Sequence, residues 1–340
     1  MNSTKLVLGT LQSGTQLTWS GIPNNHFYST GRSGEGKTYF SRSMAIQIPG
    51  LGGRCIIFDY TGDFVKDSPE QNWPTAGTEI INIRKDKIDL NPFLSEMEGE
   101  TNDEISERVV ALLSRGLRFT PTQWAYLSDA ITEGLECDLL HSVADLVEMI
   151  KMDAEENDTA KRLLPKIKVL GKLLPSNGKK IDWKLDTPGI TIIDMSSIKD
   201  PMALAVLAEL LLWTICSLRM HSIPDRPTPL VLLLDECQRL RFQEGDTTVR
   251  ILREGRKYGI WGWFSTQWIS NKTAVAALNQ AGLRIHFRPD DQNLHNTARE
   301  IACGDRKMVP IYESRLANLK RGQFMYRKGT SMITSRAPQS

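Results

Sequence analysis

A glycine-rich segment near the start of the chain has the residue types and spacing of a phosphate-binding loop. It fits the pattern G-x-x-x-x-G-K-[ST] at every fixed position and reads Gly31, Arg32, Ser33, Gly34, Glu35, Gly36, Lys37 and Thr38. Glycines allow positive φ angles, so that successive N–H groups and the start of the following helix can point at negative charge. Lys37 is then expected to reach the β- and γ-phosphates of ATP, and the Thr38 hydroxyl to coordinate Mg²⁺.

A pair of carboxylates follows a fully apolar run further along the chain. Asp235 and Glu236 come directly after residues 230–234, which are all Leu or Val. If this run is a buried strand, Asp235 lies at its carboxyl end and can hold the Mg²⁺ shell, while Glu236 is placed to polarise an attacking water. The alternative is a strand that simply ends in two solvated acids.

A polar amide and three arginines complete the candidate residues. Gln267 follows an apolar run and can either sense the γ-phosphate or form a hydrogen bond in a turn. Arg250, Arg253 and Arg256 are three residues apart, which places them along one side of a predicted helix at 246–258. Such arginines usually face solvent, but one at the edge of the domain can reach the phosphates of a neighbouring subunit.

The elements that must position these residues are predicted from apolar runs. Short runs that are apolar on both faces alternate with helical segments and occupy residues 54–59, 189–194, 230–235, 259–265 and 283–287. This pattern is typical of a mostly parallel sheet covered by helices, which is an α/β fold. Residues 5–9 and 16–19 are predicted to form a hairpin ahead of the glycine-rich loop.

A long interval between the runs at 54–59 and 189–194 has helical patterning and no convincing strand. We predict an all-helical insertion at 95–183, between two parts of one domain at 1–94 and 184–330, with a polar tail at 331–340. Residues 161–180 of the insertion contain seven Lys or Arg and no acid. This basic stretch is either a solvated helical face or a contact for nucleic acid or a partner.

Composition limits the class of protein. The chain has 340 residues, 40% hydrophobic and 24% charged, which is typical of a globular protein with a real core. A net charge of +2 means that any nucleic-acid contact must come from local patches. Five scattered cysteines and no signal sequence predict reduced, buried thiols in a cytoplasmic protein. The apolar run 202–218 is shorter than the roughly 20 residues a bilayer requires, so we predict a buried helix rather than a transmembrane segment.

Taken in order, the motifs resemble the HerA/FtsK superfamily of RecA-like P-loop motors, in particular the HerA-type and the TraD-like conjugation and type IV secretion ATPases. The motifs that carry this resemblance are GRSGEGKT, IIFDYTGDF, DLNPF, ITIIDMSSI, LVLLLDECQRL and REGRKYGIWGWFSTQ. The resemblance implies a RecA-like fold with a helical insertion, Gln267 as the motif amide and Arg256 as the arginine-finger candidate.

The resemblance also implies an activity and partners. It implies a ring, with a hexamer expected, that hydrolyses ATP between subunits and moves double- or single-stranded DNA. A nuclease or a membrane secretion or conjugation complex is a possible partner, which would place the protein in the cytoplasm or at the inner face of the membrane. Two alternatives stay open: a protein-secretion ATPase without DNA cargo, and a slow nucleotide-gated assembly switch.

Overall fold

The structure is a computed structural model of the chain. It describes residues 5–11, 13–20, 24–65, 73, 77–95, 98–175, 178–221, 228–268, 271–328 and 331–336. Residues 337–340 of the predicted tail therefore lie outside the described residues, and the side chains of 327–328 and 331–336 are not described.

The strands are short and mostly buried. They are β1 (Leu6–Leu11), β2 (Gln16–Trp19), β3 (Phe27–Thr30), β4 (Arg54–Asp59), β5 (Thr78–Asn82), β6 (Ile88–Asp89), β7 (Lys179–Lys180), β8 (Gly189–Asp194), β9 (Leu230–Leu234), β10 (Ile260–Thr266), β11 (Leu283–His286), β12 (Gln323–Lys328) and β13 (Ser331–Arg336). Every residue of β3, β4, β8 and β9 is buried, which explains why these runs are apolar on both faces.

The helices lie between these strands. They are α1 (Lys37–Ala45), α2 (Ile83–Asp86), α3 (Asn102–Leu113), α4 (Pro121–Glu136), α5 (Val143–Asp153), α6 (Asp158–Leu173), α7 (Pro201–His221), α8 (Thr247–Glu254), α9 (Lys272–Leu278), α10 (Asp291–Ala302) and α11 (Val309–Ala317). A short 3₁₀ turn at Gly255–Tyr258 continues from α8, so the helix predicted at 246–258 ends earlier and tightens before β10.

Eleven strands form one sheet, in the order β2-β1-β13-β12-β11-β3-β10-β9-β4-β8-β5. The pairs from β11 through β3, β10 and β9 to β4 are parallel. The segments that follow β3, β9 and β10 therefore meet at one edge of the sheet, which is where an α/β fold places its ligands. The predicted α/β class with a mostly parallel sheet is confirmed.

The antiparallel side of the sheet contains one confirmed prediction and one correction. The hairpin of β1 and β2 is present, with Leu6 opposite Trp19. The polar tail predicted at 331–340 was wrong for Ser331–Arg336, which form β13 and pair with β12 and β1. Residues 331–336 are mostly polar, and the neighbouring β12 supplies the ladder that a polar composition does not reveal.

The chain divides into two compact units. The first comprises Met1–Ile80, Leu185–Ile192 and Arg226–Ser340, and the second Ile81–Lys184 and Ile193–Asp225. The core of the first unit contains the packed aromatic rings of Phe27, Phe40, Trp263, Phe287 and Phe324.

The second unit contains α3 to α7. Its helices begin at well-formed caps, because Thr101 and Thr120 each make a capping box with the residue three positions later. The described residues between 98 and 175 contain helices and no strand, but the predicted interval 95–183 also includes the two-residue strand β7, which pairs with β6. The prediction of an interval without a strand was therefore wrong for Lys179–Lys180, because their partner strand lies outside the interval. The unit also includes α7, so its limits are wider than the predicted 95–183.

Helix α7 is long and apolar enough to cross a membrane by length and composition alone, but 72% of its most apolar window is buried inside the protein. Glu209 in its middle is only 3% exposed. Trp213 lies under the guanidinium of Arg108 from α3, 4.5 Å from the ring centre. These contacts are those of a core helix, as the sequence predicts.

The prediction of five buried thiols was wrong for two cysteines. All five are free, and Cys55, Cys216 and Cys237 are buried, but Cys137 and Cys303 are exposed. Cys137 caps the end of α4 and Cys303 the end of α10, positions that face solvent whatever the side chain.

Candidate nucleotide-binding site

The glycine-rich loop connects the end of β3 to the start of α1. Gly31, Gly34 and Gly36 have φ angles of +149°, +82° and +104°, which side chains rarely adopt. A Cβ atom on Gly31 would lie 2.6 Å from the Cβ of Phe287, so this position also has no room for a side chain. Thr38 is the second residue of α1, in the first turn of the helix that directly follows the loop.

Two neighbouring segments hold the loop by backbone hydrogen bonds. The N–H of Arg32 donates to the carbonyl of Arg288 at 2.9 Å, and the N–H of Gly322 donates to the carbonyl of Glu35 at 2.9 Å. In addition, the hydroxyl of Thr30 is 3.0 Å from Nδ1 of the buried His286. Sequence reasoning missed these supports, because they come from segments more than 250 residues away.

Lys37 is buried against the loop that precedes it. Its Nζ donates to the carbonyls of Gly31 at 2.6 Å and Arg32 at 2.9 Å. Burial lowers the pKa of Lys37, while the charges of Asp235 and Glu236 oppose that change. An ammonium group has three donors, so one remains for a phosphate.

Glu35, the acidic residue inside the loop, is paired with its neighbour. Its carboxylate accepts a hydrogen bond from Nε of Arg32 at 2.6 Å, and its side chain is 8% exposed. The pair neutralises a charge that would otherwise repel phosphate. The loop is therefore compatible with an anion despite this acid.

Asp235 directly follows β9 and is 4% exposed. Burial and the charge of Glu236 together raise the pKa of Asp235 to about 6, against the opposing charge of Lys37. A buried carboxylate of this kind gains from a nearby cation, because the cation offsets its desolvation. Carboxylate and hydroxyl oxygens are the ligand types that Mg²⁺ prefers.

Glu236 and Gln267 are brought together at the ends of two adjacent strands. Nε2 of Gln267 donates to Oε1 of Glu236 at 3.2 Å, and Gln238 donates to its other oxygen. Glu236 has φ +49° and ψ +41°, an uncommon conformation for a residue with a side chain, and such strain clusters at functional sites. Sequence reasoning missed Gln238, which also accepts from the hydroxyl of Thr266 at 2.6 Å.

Arg256 lies at the opposite end of β10 from Gln267. It is exposed on the 3₁₀ turn before this strand, and its charge acts on His26, which precedes β3. Seven strand residues separate the two ends, a distance of roughly 20 Å. Arg256 is therefore remote from the loop of its own chain. Arg250 and Arg253 pair with the nearby Glu254 and Glu244, as solvent-facing residues do.

Comparison with known families decides the classification. The sequence model described as the central domain of helicase HerA matches residues 7–213, more than half of the chain. The chain belongs to this HerA family. The match confirms the resemblance to HerA/FtsK-type P-loop ATPases that the sequence motifs indicate.

One curated HerA relative is the DNA double-strand break repair helicase HerA of Sulfolobus acidocaldarius. It is 23% identical over 261 residues, which is 70% of this chain. The chain spans about half of that relative, since the match covers 50% of its length.

Solved structures share the fold of this HerA-family chain. VirB4 of Thermoanaerobacter pseudethanolicus superposes with a TM-score of 0.77 at 18% identity, covering 100% of this chain and 98% of that one. The bacterial conjugative coupling protein TrwB superposes with a TM-score of 0.64 at 15% identity, covering 100% of this chain and 90% of that one. TrwB has also been solved in complex with ADP and Mg²⁺. The RecA-like P-loop fold is therefore confirmed.

A basic cleft of about 550 Å³ adjoins the loop of this HerA-family chain. Its cations come from three segments and include Arg32, Arg288, Lys320 and Arg321. Among them only Arg32 pairs with an acid in the part of the chain that the structure describes, at Glu35. The cleft therefore makes the surroundings of the loop attractive to an anion such as a nucleotide.

Two acids at strand ends prove to be turn residues of the HerA-type fold. Asp59, the last residue of β4, accepts hydrogen bonds from the N–H groups of Gly62 at 2.8 Å and Phe64 at 2.9 Å. Asp194, the last residue of β8, accepts from the hydroxyl of Ser196 at 2.6 Å. These carboxylates stabilise local turns.

Proposed function

We propose that this chain is an ATP-hydrolysing motor that translocates DNA through an oligomeric ring. One observation carries the proposal: the glycine-rich loop, the acids after β9 and the amide after β10 lie at one edge of the sheet, in the strand order β3-β10-β9. The hydrogen bond between Gln267 and Glu236 shows that two of these groups are already in contact.

In this proposal the loop residues 31–38 bind the phosphates of ATP. Lys37 contributes the positive charge and its remaining donor, and Thr38 and Asp235 hold Mg²⁺. When bound, Mg²⁺ neutralises charge that develops on the phosphate oxygens. The buried state and raised pKa of Asp235 support its role as the metal ligand.

Glu236 is proposed as the general base. Its carboxylate accepts a proton from the water whose oxygen attacks the γ-phosphorus, while the bond to the bridging oxygen breaks and ADP leaves. The side chain is oriented for this task by the amides of Gln238 and Gln267. Gln267 is proposed to transmit the state of the phosphate, because it contacts the base and ends β10.

Arg256 is proposed to act in trans, at the nucleotide held by a neighbouring subunit. Its position at the far end of β10 supports this role, since a residue so remote from its own loop is out of reach of its own nucleotide. A contact of this kind joins different surfaces on successive copies and closes into a ring when the rotation allows. A hexamer is the expected size.

DNA is the proposed cargo because the HerA relative is a DNA double-strand break repair helicase. A nuclease or a membrane secretion or conjugation complex remains the proposed wider partner, and the cytoplasm or the inner face of the membrane the proposed location.

The proposal is tested by ATP turnover with and without duplex DNA, together with mass measurement in both states. We expect Mg²⁺-dependent turnover that duplex DNA stimulates several-fold, in particles several chains in mass. A rate that DNA leaves unchanged contradicts the DNA motor and favours a protein-secretion ATPase. Turnover at or below about 10⁻⁴ per second, the order of switch GTPases, favours a nucleotide-gated switch.

A further inference from the structure

Helix α6 in the second unit presents a row of lysines that the nucleotide site does not use. Lys161, Lys168 and Lys172 stand at positions i, i+7 and i+11, and all three are exposed. At 100° per residue they fall within about 40° of one another around the helix, about 10 Å and 6 Å apart along its axis. The opposite face, with Leu163, Ile167 and Leu170, is buried.

These three cations have no acidic partner within the described part of the chain. Two neighbouring acids are engaged elsewhere, because Glu148 pairs with Lys151 at 2.7 Å and Asp153 accepts a hydrogen bond from Tyr126 at 2.8 Å. By contrast, Lys166 on another side of α6 donates to Gln123 at 2.8 Å. The fold thus uses one lysine of the helix structurally and leaves the row uncompensated.

We propose that this lysine row binds the phosphate backbone of duplex DNA, as a second contact on the helical unit separate from the nucleotide site. The row is about 16 Å long, which spans several phosphates of one strand. Helix α6 contains no aromatic residue, so it offers no stacking platform for single-stranded bases. Lysines without base-reading partners give affinity that does not depend on sequence.

An acidic protein segment is the competing ligand. Lys168 and Lys172 also rim a groove of about 330 Å³ between α5 and α6, which includes the apolar Val147 and Leu164. This cavity holds only one or two side chains, whereas the row continues past it to Lys161. The extent of the row therefore favours a linear polyanion over a protein side chain inserted in the groove.

The local charges predict a gradient along the row. Four acids lie close to Lys161 in the sequence, at the end of α5, in the turn that follows and at the first position of α6: Asp153, Glu155, Glu156 and Asp158. These acids weaken the field at Lys161 but less so at Lys168 and Lys172, which lie two to three turns further on. Lys168 and Lys172 are therefore the stronger contacts.

The test measures binding of a fluorescently labelled 30-base-pair duplex by the full chain between 50 and 200 mM salt. The triple variant K161Q/K168Q/K172Q should bind at least tenfold more weakly at 100 mM salt. Its plot of log affinity against log salt should be shallower by about two to three, since each phosphate contact contributes about 0.9. K168Q and K172Q should each lose more than K161Q.

Three controls make the result specific. K307Q removes an exposed lysine from the other unit and should leave binding within twofold. The variant K161R/K168R/K172R keeps the charges and should bind as the wild type does. Basal ATP turnover and the unfolding temperature of the glutamine triple should match those of the wild type, because none of these residues touches the nucleotide site.

The α6 contact rests on the proposed DNA motor, and the outcomes of the test distinguish a failure of the contact from a failure of the motor. If the wild-type protein binds the duplex and the triple variant binds it with the same affinity and the same salt slope, the α6 contact alone is overturned. The lysine row is then assigned to an acidic protein segment. Wild-type protein that hydrolyses ATP but shows no salt-dependent duplex binding overturns both the DNA cargo and the α6 contact.

Discussion

At the residue scale, the account depends on how single side chains are held at the edge of the sheet. Glu236 is the clearest case, because its backbone is in the left-handed region and both carboxylate oxygens accept hydrogen bonds from amides. These features orient one carboxylate rather than leaving it solvated. The proposed role of a base rests on that orientation.

Replacement of this base gives the first prediction. Glu236→Gln should lower steady-state ATP turnover by about 10²- to 10⁴-fold, because the amide cannot accept the proton. Nucleotide affinity should change little. Glu244→Gln, at an exposed acid that pairs with Arg253, is the matched control and should keep full turnover. Unchanged turnover in Glu236→Gln would assign the base to another residue.

The loop glycines give a second prediction, read out as stability. Gly31→Ala places a methyl group 2.6 Å from the Cβ of Phe287, so we expect a loss of about 1–3 kcal/mol beyond backbone strain. Gly34→Ala meets open space and should cost only the strain of its positive φ, about 1 kcal/mol. Urea denaturation of both variants measures the difference. Equal losses would show that Phe287 moves aside.

At the element scale, the sequence predicts what lies within a segment better than what pairs with it. Apolar runs located β4, β8, β9, β10 and β11 to within one or two residues, because burial on both faces is visible in the residue types. The strand β13 was missed, since its stability comes from β12 and β1 rather than from its own residues.

The site shows the same division. The loop, the acids and the amide could be found from the sequence, because each carries a motif with a chemical reason. Gln238 and His286 could not, since a lone amide or histidine acquires its partner only through the tertiary fold. Likewise, the sequence could not place Arg256 relative to the loop. It precedes β10, which runs parallel to β3, so it lies at the opposite end of the strand from the loop.

The packing of β3 against β10 gives a pH prediction. His26 is fully buried, and its Nδ1 accepts the N–H of Gly262 at 2.9 Å. Burial, together with the charge of Arg256, lowers the pKa of His26 from 6.5 to about 4. In the unfolded chain His26 is therefore protonated below pH 6.5, whereas in the folded chain it stays neutral down to about pH 4. The free energy of unfolding must therefore decrease as the pH is lowered from 6.5 to about 4.

Between pH 7 and pH 5 this single histidine should remove about 2 kcal/mol from the free energy of unfolding. His26→Asn keeps an acceptor near the Nδ1 position but does not titrate. Urea denaturation at both pH values should therefore show a smaller pH-dependent loss in the variant, by about that amount. Identical losses in the two proteins would mean that His26 is protonated in the folded state.

At the scale of the whole molecule, catalysis is proposed to need more than one chain. Arg256→Ala and Lys37→Ala should each be inactive alone, because one lacks the residue supplied in trans and the other the loop lysine. Mixing them creates sites with an intact loop from one chain and an intact arginine from the next, so part of the turnover should return. Arg250→Ala is the control and should stay active alone.

A mixture that regains nothing, or an Arg256→Ala protein that is fully active by itself, contradicts the trans role. Either result would leave the roles proposed for the loop, the acids and the amide unchanged. A residue other than Arg256 would then have to be supplied by the neighbouring subunit.

The central claim is that the loop beginning at Gly31 binds the triphosphate of ATP. Titration of the purified chain with ATP and Mg²⁺, by calorimetry with equilibrium dialysis, tests it most directly. We predict saturable binding near one nucleotide per chain that needs Mg²⁺, and at least tenfold weaker binding by Lys37→Ala. Wild-type protein that shows no binding by either method, or a Lys37→Ala variant that binds equally well, would contradict the claim.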